Sequence, residues 1–337
     1  MDHLTTRARG PHRDRRRARP SDNSPADRPG ERPDERPGER PGERPLVGGV
    51  GISHPARVIF QDLGVTKLDI ARYYDTVAEW MVPHLAGRPL TLLRCGEAID
   101  PTADKGGCVM LRHAKAWGPP ALRRVEIDEL HQTGEYLVAD SPTALVSLAQ
   151  MGVLEIHTWN ASAERPYDHD RVVFDLDPGP AVAWREVVTA AKRVRAALKH
   201  LGLASWVKTT GGKGLHVVAP LAPTADVEAS LKFAASVAIG LVAEHPTTYT
   251  LAIPRAGREK KILLDFGRNA RANTAVAAYS LRARAGAPVS TPLAWDELAP
   301  RTAPGKFTIQ SVRARLRRVG DVWAGYWKTQ ESLPPPA

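Results

Sequence analysis

Asp175 and Asp177, in the stretch RVVFDLDPG (171–179), are two acids at a spacing that suggests chemistry. Val172, Val173 and Phe174 favour a strand and Pro178-Gly179 stops it. Residues i and i+2 of a strand point the same way, so both carboxylates sit on one face at the strand's end, roughly 6.6 Å apart. Like charges that close repel unless a cation lies between them, and a divalent metal is the usual answer. The stretch KKILLDF (260–266) brings a third carboxylate, Asp265, to the end of another short strand. Three carboxylates can hold two metal ions about 4 Å apart, one activating an attacking hydroxyl and one bound to a triphosphate. Taken alone, the Asp-x-Asp pair is a weak signal that fits two solvated turn aspartates as well as it fits a functional site, which would be either the metal-nucleotide site of a sugar transferase or the metal site of a nucleotidyltransferase.

A second group lies in KTTGGKGLH (208–216). Gly211, Gly212 and Gly214 let backbone N–H groups approach an anion, Thr209 and Thr210 add hydroxyls, and Lys213 and His216 add donors. The spacing is not that of a P-loop. An ordinary Gly-rich hairpin turn is the plain alternative, and its place between two acidic strands favours phosphate binding. Arg258, Arg268 and Arg282 flank Asp265 and the strand expected at AAYSLRAR (277–284). Each alone reads as a surface arginine, but together their forks suit triphosphate oxygens. His157, in LEIHTWN, falls in an apolar strand-like run, where a lone histidine is more often a satisfied core residue than a catalyst.

The elements that must carry these residues are legible in outline. TKLDIARYYDTVAEWMVPHL (66–85) has helical spacing of Leu68, Tyr73 or Tyr74, Val77 and Met81, with Thr66 as N-cap. Residues 181–201 form an amphipathic helix through Val187, Ala191, Val194, Leu198 and Leu201, ended by Gly202. Residues 205–221 read as strand, Gly-rich turn, strand, and 226–244 as another helix. Strands and helices mix without strict alternation, which predicts a mixed α/β (α+β) fold.

Composition bounds the rest. Of the net charge of +10, +3 falls in the first 45 residues (12 Arg against 9 Asp and Glu) and +7 in the remainder, so the folded part itself favours a polyanionic partner such as nucleic acid. Residues 1–45, with RDRRRAR (13–19) and ERPGERPGERP, lack the apolar side chains to offset ordering entropy and read as a disordered tail; 46–327 reads as one catalytic domain and 328–337 as a C-terminal tail. Cys95 and Cys108 are the two cysteines, which gives no disulfide framework and no Cys-rich zinc site and fits a reducing cytoplasm. No apolar run is long enough to span a membrane and no signal peptide is visible, so a cytoplasmic protein is expected.

The motifs HTW, RVVFDLDPG, KTTGGKGLHVVAPL, ILLDFGRN and AYSLRAR, in this order, with ISHPARVIFQDLGVTKLDIARYY and PHLAGRPLTLLR upstream, resemble the polymerase domain of bacterial ligase D, in the archaeo-eukaryotic primase superfamily. The resemblance spans about residues 52–320. It implies nucleotide addition at DNA ends in non-homologous end joining, with two Mn²⁺ or Mg²⁺ ions and a nucleoside triphosphate. It places Asp175, Asp177 and Asp265 on the metal triad, His157 on the active-site histidine, and Thr210, Lys213, His216, Arg258, Arg268 and Arg282 around the nucleotide. Arg57 and Lys67 fall on the pair that grips a terminal 5′-phosphate. It further implies DNA ends, Ku and a separate ligase as partners, a monomer, and a place at the nucleoid.

Two departures stand out. Val109 and Met110 replace paired phenylalanines that stack on the template, and Thr210 replaces a serine. The chain has no Lys-x-Asp-Gly ligase signature, since TKLD continues with Ile70, so a stand-alone polymerase is expected. Two alternatives stay open: a primase-polymerase that starts chains de novo, and a non-catalytic DNA-end-binding protein.

Overall fold

Thr66 and Asp69 open the first helix, α1 (Lys67–Leu85), by a reciprocal cap. The threonine hydroxyl accepts from Asp69 N at 3.2 Å, and the aspartate carboxylate accepts from Thr66 N at 2.9 Å. The computed structural model describes residues 44–96, 98–99, 107–114, 118–129, 132–302 and 304–334; the expected tail at 1–45 lies outside them apart from Arg44 and Pro45. The buried stripe of α1 runs through Ile70, Tyr73, Tyr74, Val77, Met81 and Leu85. Its two tyrosines reach across the core: Tyr73 OH donates to Tyr279 O and Tyr74 OH to Leu154 O, both at 2.7 Å. The helix thereby locates two segments that prove important, one around residue 155 and one around 280.

Ten strands form two larger sheets. In chain order they are β1 (Leu90–Cys95), β2 (Cys108–Leu111), β3 (Val153–Thr158), β4 (Asp168–Pro178), β5 (Trp206–Thr209), β6 (Leu215–Asp226), β7 (Tyr249–Thr250), β8 (Ile262–Asp265), β9 (Ala275–Val276) and β10 (Pro292–Leu293). One sheet has the order β7-β8-β4-β6-β5-β10 and the other β9-β3-β1-β2. Every pairing is antiparallel except β7 with β8, so the expected mixed fold is what forms. The helices α2 (Pro142–Gln150), α3 (Trp184–His200), α4 (Val227–Glu244) and α5 (Ile309–Val319) complete the body.

The central strand β4 alternates in the way its sequence demands. Val172, Phe174 and Leu176 join the core under α3 and α4. Val173 points the other way and packs, with Val218, against Trp323 and Tyr326. Asp175 and Asp177 continue that second face towards the strand's end. Past Trp327 the chain still follows the body: Glu331 bridges Leu221, and its carboxylate accepts from Ala204 N at 3.0 Å.

Three expectations need correcting. Cys95 and Cys108 are disulfide-bonded, because the register of β1 and β2 sets them directly opposite each other with Cα atoms 4.1 Å apart. AAYSLRAR is not a strand: Tyr279 has φ +65°, which turns the backbone out of the extended region, and the segment pairs only through an isolated Leu281–Val289 bridge. Leu201 is exposed at the C-cap of α3 rather than part of its buried stripe.

Candidate active site

The registers of β8, β4, β6 and β5 put Asp265, Asp175, His216 and Lys208 directly opposite one another, as one row across four neighbouring strands. Residues paired this way share a face and touch. Asp177 stands two residues further along β4, past the end of the row. β3 of the other sheet supplies His157, and a cleft of about 1030 Å³ opens between these elements. It is lined by Asp175, Asp177, Asp265, His157, Thr210, Lys213, His216, Arg258, Arg268 and Arg282, so the ten residues singled out from sequence for catalysis and nucleotide binding all meet in one place. Its size suits a ligand as large as a nucleoside triphosphate.

The carboxylates are balanced by guanidinium groups. Arg268 Nε lies 3.2 Å from Asp175 Oδ2 and 3.3 Å from Asp265 Oδ2, bridging the two strands. Arg258 donates to Asp177 Oδ2 at 2.8 Å and to Asp177 O at 3.2 Å. The arginine-bearing turns are held by specific contacts. Asn269, next to Arg268, extends the sheet with its side-chain amide, which accepts from Val173 N and donates to Val173 O, both at 2.8 Å. Asn160, at the end of β3, donates to Asn269 Oδ1 at 3.0 Å, tying the two sheets together. The Arg258 loop passes so close to β4 that a Cβ on Gly179 would sit 2.1 Å from Arg258 O.

The Gly-rich turn is shaped from within. Thr210 Oγ1 accepts from Gly212 N and donates to Gly214 O, both at 3.2 Å, so its hydroxyl is spent on the turn itself. Arg282 donates to Thr210 O at 2.5 Å. Gly211, at φ +69°, lies under that arginine, where a Cβ would meet Arg282 Cγ at 2.5 Å. Lys213 is exposed at the tip.

Burial and neighbouring charge set the protonation states. Burial pushes the Asp175 carboxyl up, but His216, Arg268 and Lys208 outweigh it and hold the group well below the usual carboxylate range. His216 is pushed down to about 4 by burial and by Lys208, against the pull of Asp175. The 3.4 Å contact between His216 Nε2 and Asp175 Oδ1 therefore joins an anion to a neutral ring near neutral pH. Asp265 is raised by burial and by its acidic neighbours Asp175 and Asp177, with Arg268 opposing. Burial lowers His157, with Glu155 pulling it back. Lys208 is fully buried and pushed far below the ordinary lysine range by desolvation, despite Asp175.

Among the described residues no three His, Cys, Asp or Glu side chains are drawn close enough to hold a metal ion as they stand. The donor set nonetheless suits one. Three carboxylates on adjacent strand ends offer hard oxygen ligands, and Arg268 already bridges two of them with positive charge. A bound divalent ion would replace the guanidinium as their counter-charge.

Arg57 and Lys67 lie away from this cleft. The hairpin between them folds back so that Lys67 N donates to Arg57 O at 2.8 Å. Arg57 is exposed and donates to Gly96 O at 3.2 Å. Lys67 is only 6 % exposed; its ammonium donates to Ser53 Oγ at 3.2 Å, and Gln150 brackets Ser53 by donating to that hydroxyl at 2.7 Å and accepting from Ser53 N at 2.9 Å. Val109 and Met110 stand 60 % and 48 % exposed on the edge strand β2.

Several site residues escaped sequence reasoning. Arg255 and Arg284 also line the cleft. Lys208, Asn269 and Glu155 stand behind its lining. Lys208 had a signal, a lysine in a strand opposite His216. Glu155 had another, an acid two residues before His157 in an otherwise apolar strand. Asn269 had none, because its role depends on where β8 stops relative to β4.

A family model described as "LigD, primase-polymerase domain" matches residues 66–323. The chain is 34% identical over 289 residues to the "Multifunctional non-homologous end joining protein LigD" of Pseudomonas aeruginosa, a match covering 85% of this chain and 34% of that protein. It is 33% identical over 281 residues to the "Multifunctional non-homologous end joining DNA repair protein LigD" of Mycobacterium tuberculosis, covering 81% and 36%. The chain thus spans about a third of the length of these relatives. The solved structure of the polymerase domain of Mycobacterium tuberculosis ligase D in complex with DNA matches with a TM-score of 0.76 at 30% identity, over 82% of this chain and 97% of that one.

Proposed function

The chain belongs to the LigD primase-polymerase domain family, and on that premise we propose that it adds nucleotides to DNA 3′ ends at gaps and double-strand breaks during end joining. The observation that carries this reading is the single row of Asp265, Asp175, His216 and Lys208, faced by three arginines in one triphosphate-sized cleft. Asp175, Asp177 and Asp265 would hold two Mn²⁺ or Mg²⁺ ions, which supply Lewis acidity and lower the pKa of the attacking hydroxyl. Arg258, Arg268, Arg282 and Lys213 bind the triphosphate, and the two arginines now on the carboxylates serve both partners. The Gly-rich turn presents backbone N–H groups to the same anion, with Thr210 fixing its shape. His157 contacts the incoming nucleotide from the opposite wall.

Arg57, with Lys67 behind it, recognises the terminal 5′-phosphate of a gap. Val109 and Met110 offer an apolar, unstacked surface to the template, so template dependence is weak. The protein acts as a monomer at the nucleoid, alongside Ku and a ligase. No described helix is long and apolar enough to cross a membrane. Primer extension on a gapped duplex, with ribo- and deoxynucleoside triphosphates and with Mn²⁺, Mg²⁺ or EDTA, tests the reading. Metal-dependent addition at the 3′ end supports it; binding of the gap without any addition overturns it in favour of an end-binding protein, and synthesis without a primer points to de novo priming.

A further inference from the structure

Glu155 is a fully buried carboxylate on β3 that does not itself line the cleft, yet three of its partners do. Its Oε2 lies 3.0 Å from His157 Nε2 and 3.2 Å from Arg282 Nε, and its Oε1 accepts from Ala283 N at 3.0 Å. A buried carboxylate is costly unless hydrogen-bonded and paired, and here each named contact ends on a residue that borders the nucleotide space. The arginine carries the connection further, since Arg282 also donates to the carbonyl of Thr210 in the Gly-rich turn.

We propose that Glu155 is a positioning residue of the nucleotide site, acting through His157 and Arg282. An acid cannot donate when ionised, so the ring nitrogen facing it carries the proton: His157 Nε2–H donates to Glu155 and Nδ1 keeps its lone pair. That tautomer makes His157 an acceptor towards the cleft. The same carboxylate holds the Nε edge of Arg282, leaving Nη1 to the Gly-rich turn and Nη2 to a triphosphate oxygen. One buried charge therefore sets the hydrogen-bonding sense of one wall and the aim of a phosphate-binding fork on another. This rests on the reading of His157 and Arg282 as nucleotide contacts.

The test is single-nucleotide incorporation on a gapped duplex by Glu155→Gln, His157→Ala, Arg282→Ala and the corresponding double variants, with melting and DNA affinity measured alongside. Glutamine keeps the shape and the bond to Ala283 N but turns an N–H towards His157 and Arg282. We expect kcat/KM for the nucleotide to fall about 10- to 100-fold with gap affinity within about twofold of the unmutated protein. In the His157→Ala, Arg282→Ala background the same change should cost less than about threefold. Full activity of Glu155→Gln while His157→Ala and Arg282→Ala are impaired overturns the proposal and spares the site; unimpaired His157→Ala and Arg282→Ala overturn both. An equal cost in both backgrounds shows a merely structural role and also overturns it. Should Glu155→Gln not fold, ¹⁵N NMR of the unmutated protein decides: a proton on His157 Nδ1 and a lone pair on Nε2 contradict the proposal.

Discussion

In the cleft, cations and carboxylates meet at 2.8–3.3 Å on groups that nucleotide and metal would also claim. At the Arg57–Lys67 corner the ammonium is sunk against Ser53 and Gln150, and only Arg57 stands in water. The cleft holds charge in pairs that can be exchanged for substrate, because Arg268 is half-exposed and shares two acids. The corner holds charge in place before any ligand arrives. The first arrangement suits chemistry, in which charge must move; the second suits recognition of a fixed terminal group, where pre-setting the partner avoids ordering it on binding.

The largest effect expected is in acid, and of the three buried histidines behind it one, His216, belongs to the cleft. His84, His169 and His216 are buried and depressed to about 3, 4 and 4, by burial first in each case. They stay neutral in the folded chain but take protons on unfolding below about pH 6.5. Stability should therefore fall as pH drops from 6.5 towards 4, by about 1.4 kcal/mol per unit for each ring and about 4 kcal/mol per unit for the three together. Urea unfolding at pH 7, 6 and 5 measures it, and a flat profile would show that these rings titrate normally.

Next come the acids of the cleft. Asp265→Ala or Asp177→Ala should cut nucleotide addition at least about 10³-fold, since losing a ligand forfeits several kcal/mol of charge stabilisation, while circular dichroism stays unchanged. Extension within tenfold of the unmutated rate would remove them from catalysis. Arg268→Ala should cost about 10- to 100-fold in kcat/KM and leave gap affinity alone, because its charge serves the nucleotide rather than the duplex. The corner should respond in the opposite sense. Arg57→Ala with Lys67→Met should leave addition on a hydroxyl-ended gap intact and erase an approximately tenfold preference for the 5′-phosphate, the value of one charge-assisted hydrogen bond. Competition between phosphorylated and dephosphorylated gaps reads this out, and equal affinity for both in the unmutated protein would make the pair ordinary surface charge.

The two regions also differ in how far the sequence discloses them. Asp175 and Asp177 announce themselves through period-two spacing before Pro178-Gly179, and the same local logic finds the Gly-rich turn, the helix from Thr66, and the short strand to Asp265. What joins these pieces is register, which no local pattern carries. That Asp265, Asp175, His216 and Lys208 share one row follows from how β8, β6 and β5 align on β4. The irregular path of 277–284, where Tyr279 takes a positive φ, delivers Arg282 without the strand its composition suggests. Cys95 and Cys108 become partners through the β1–β2 alignment alone. At the corner, a lysine in the sequence LGVTKLD looks like any surface lysine. Its burial depends on Gln150, 83 positions away, arriving with α2 to hold Ser53.

One cluster of acids and arginines is expected to hold cation and triphosphate jointly. Calorimetric titration of the full chain with a non-hydrolysable nucleoside triphosphate, with and without Mn²⁺, tests it without reference to turnover. Binding should be at least about tenfold tighter with Mn²⁺ present, a gain that Asp175→Asn removes. Equal affinity with and without the ion in the unmutated protein would contradict it.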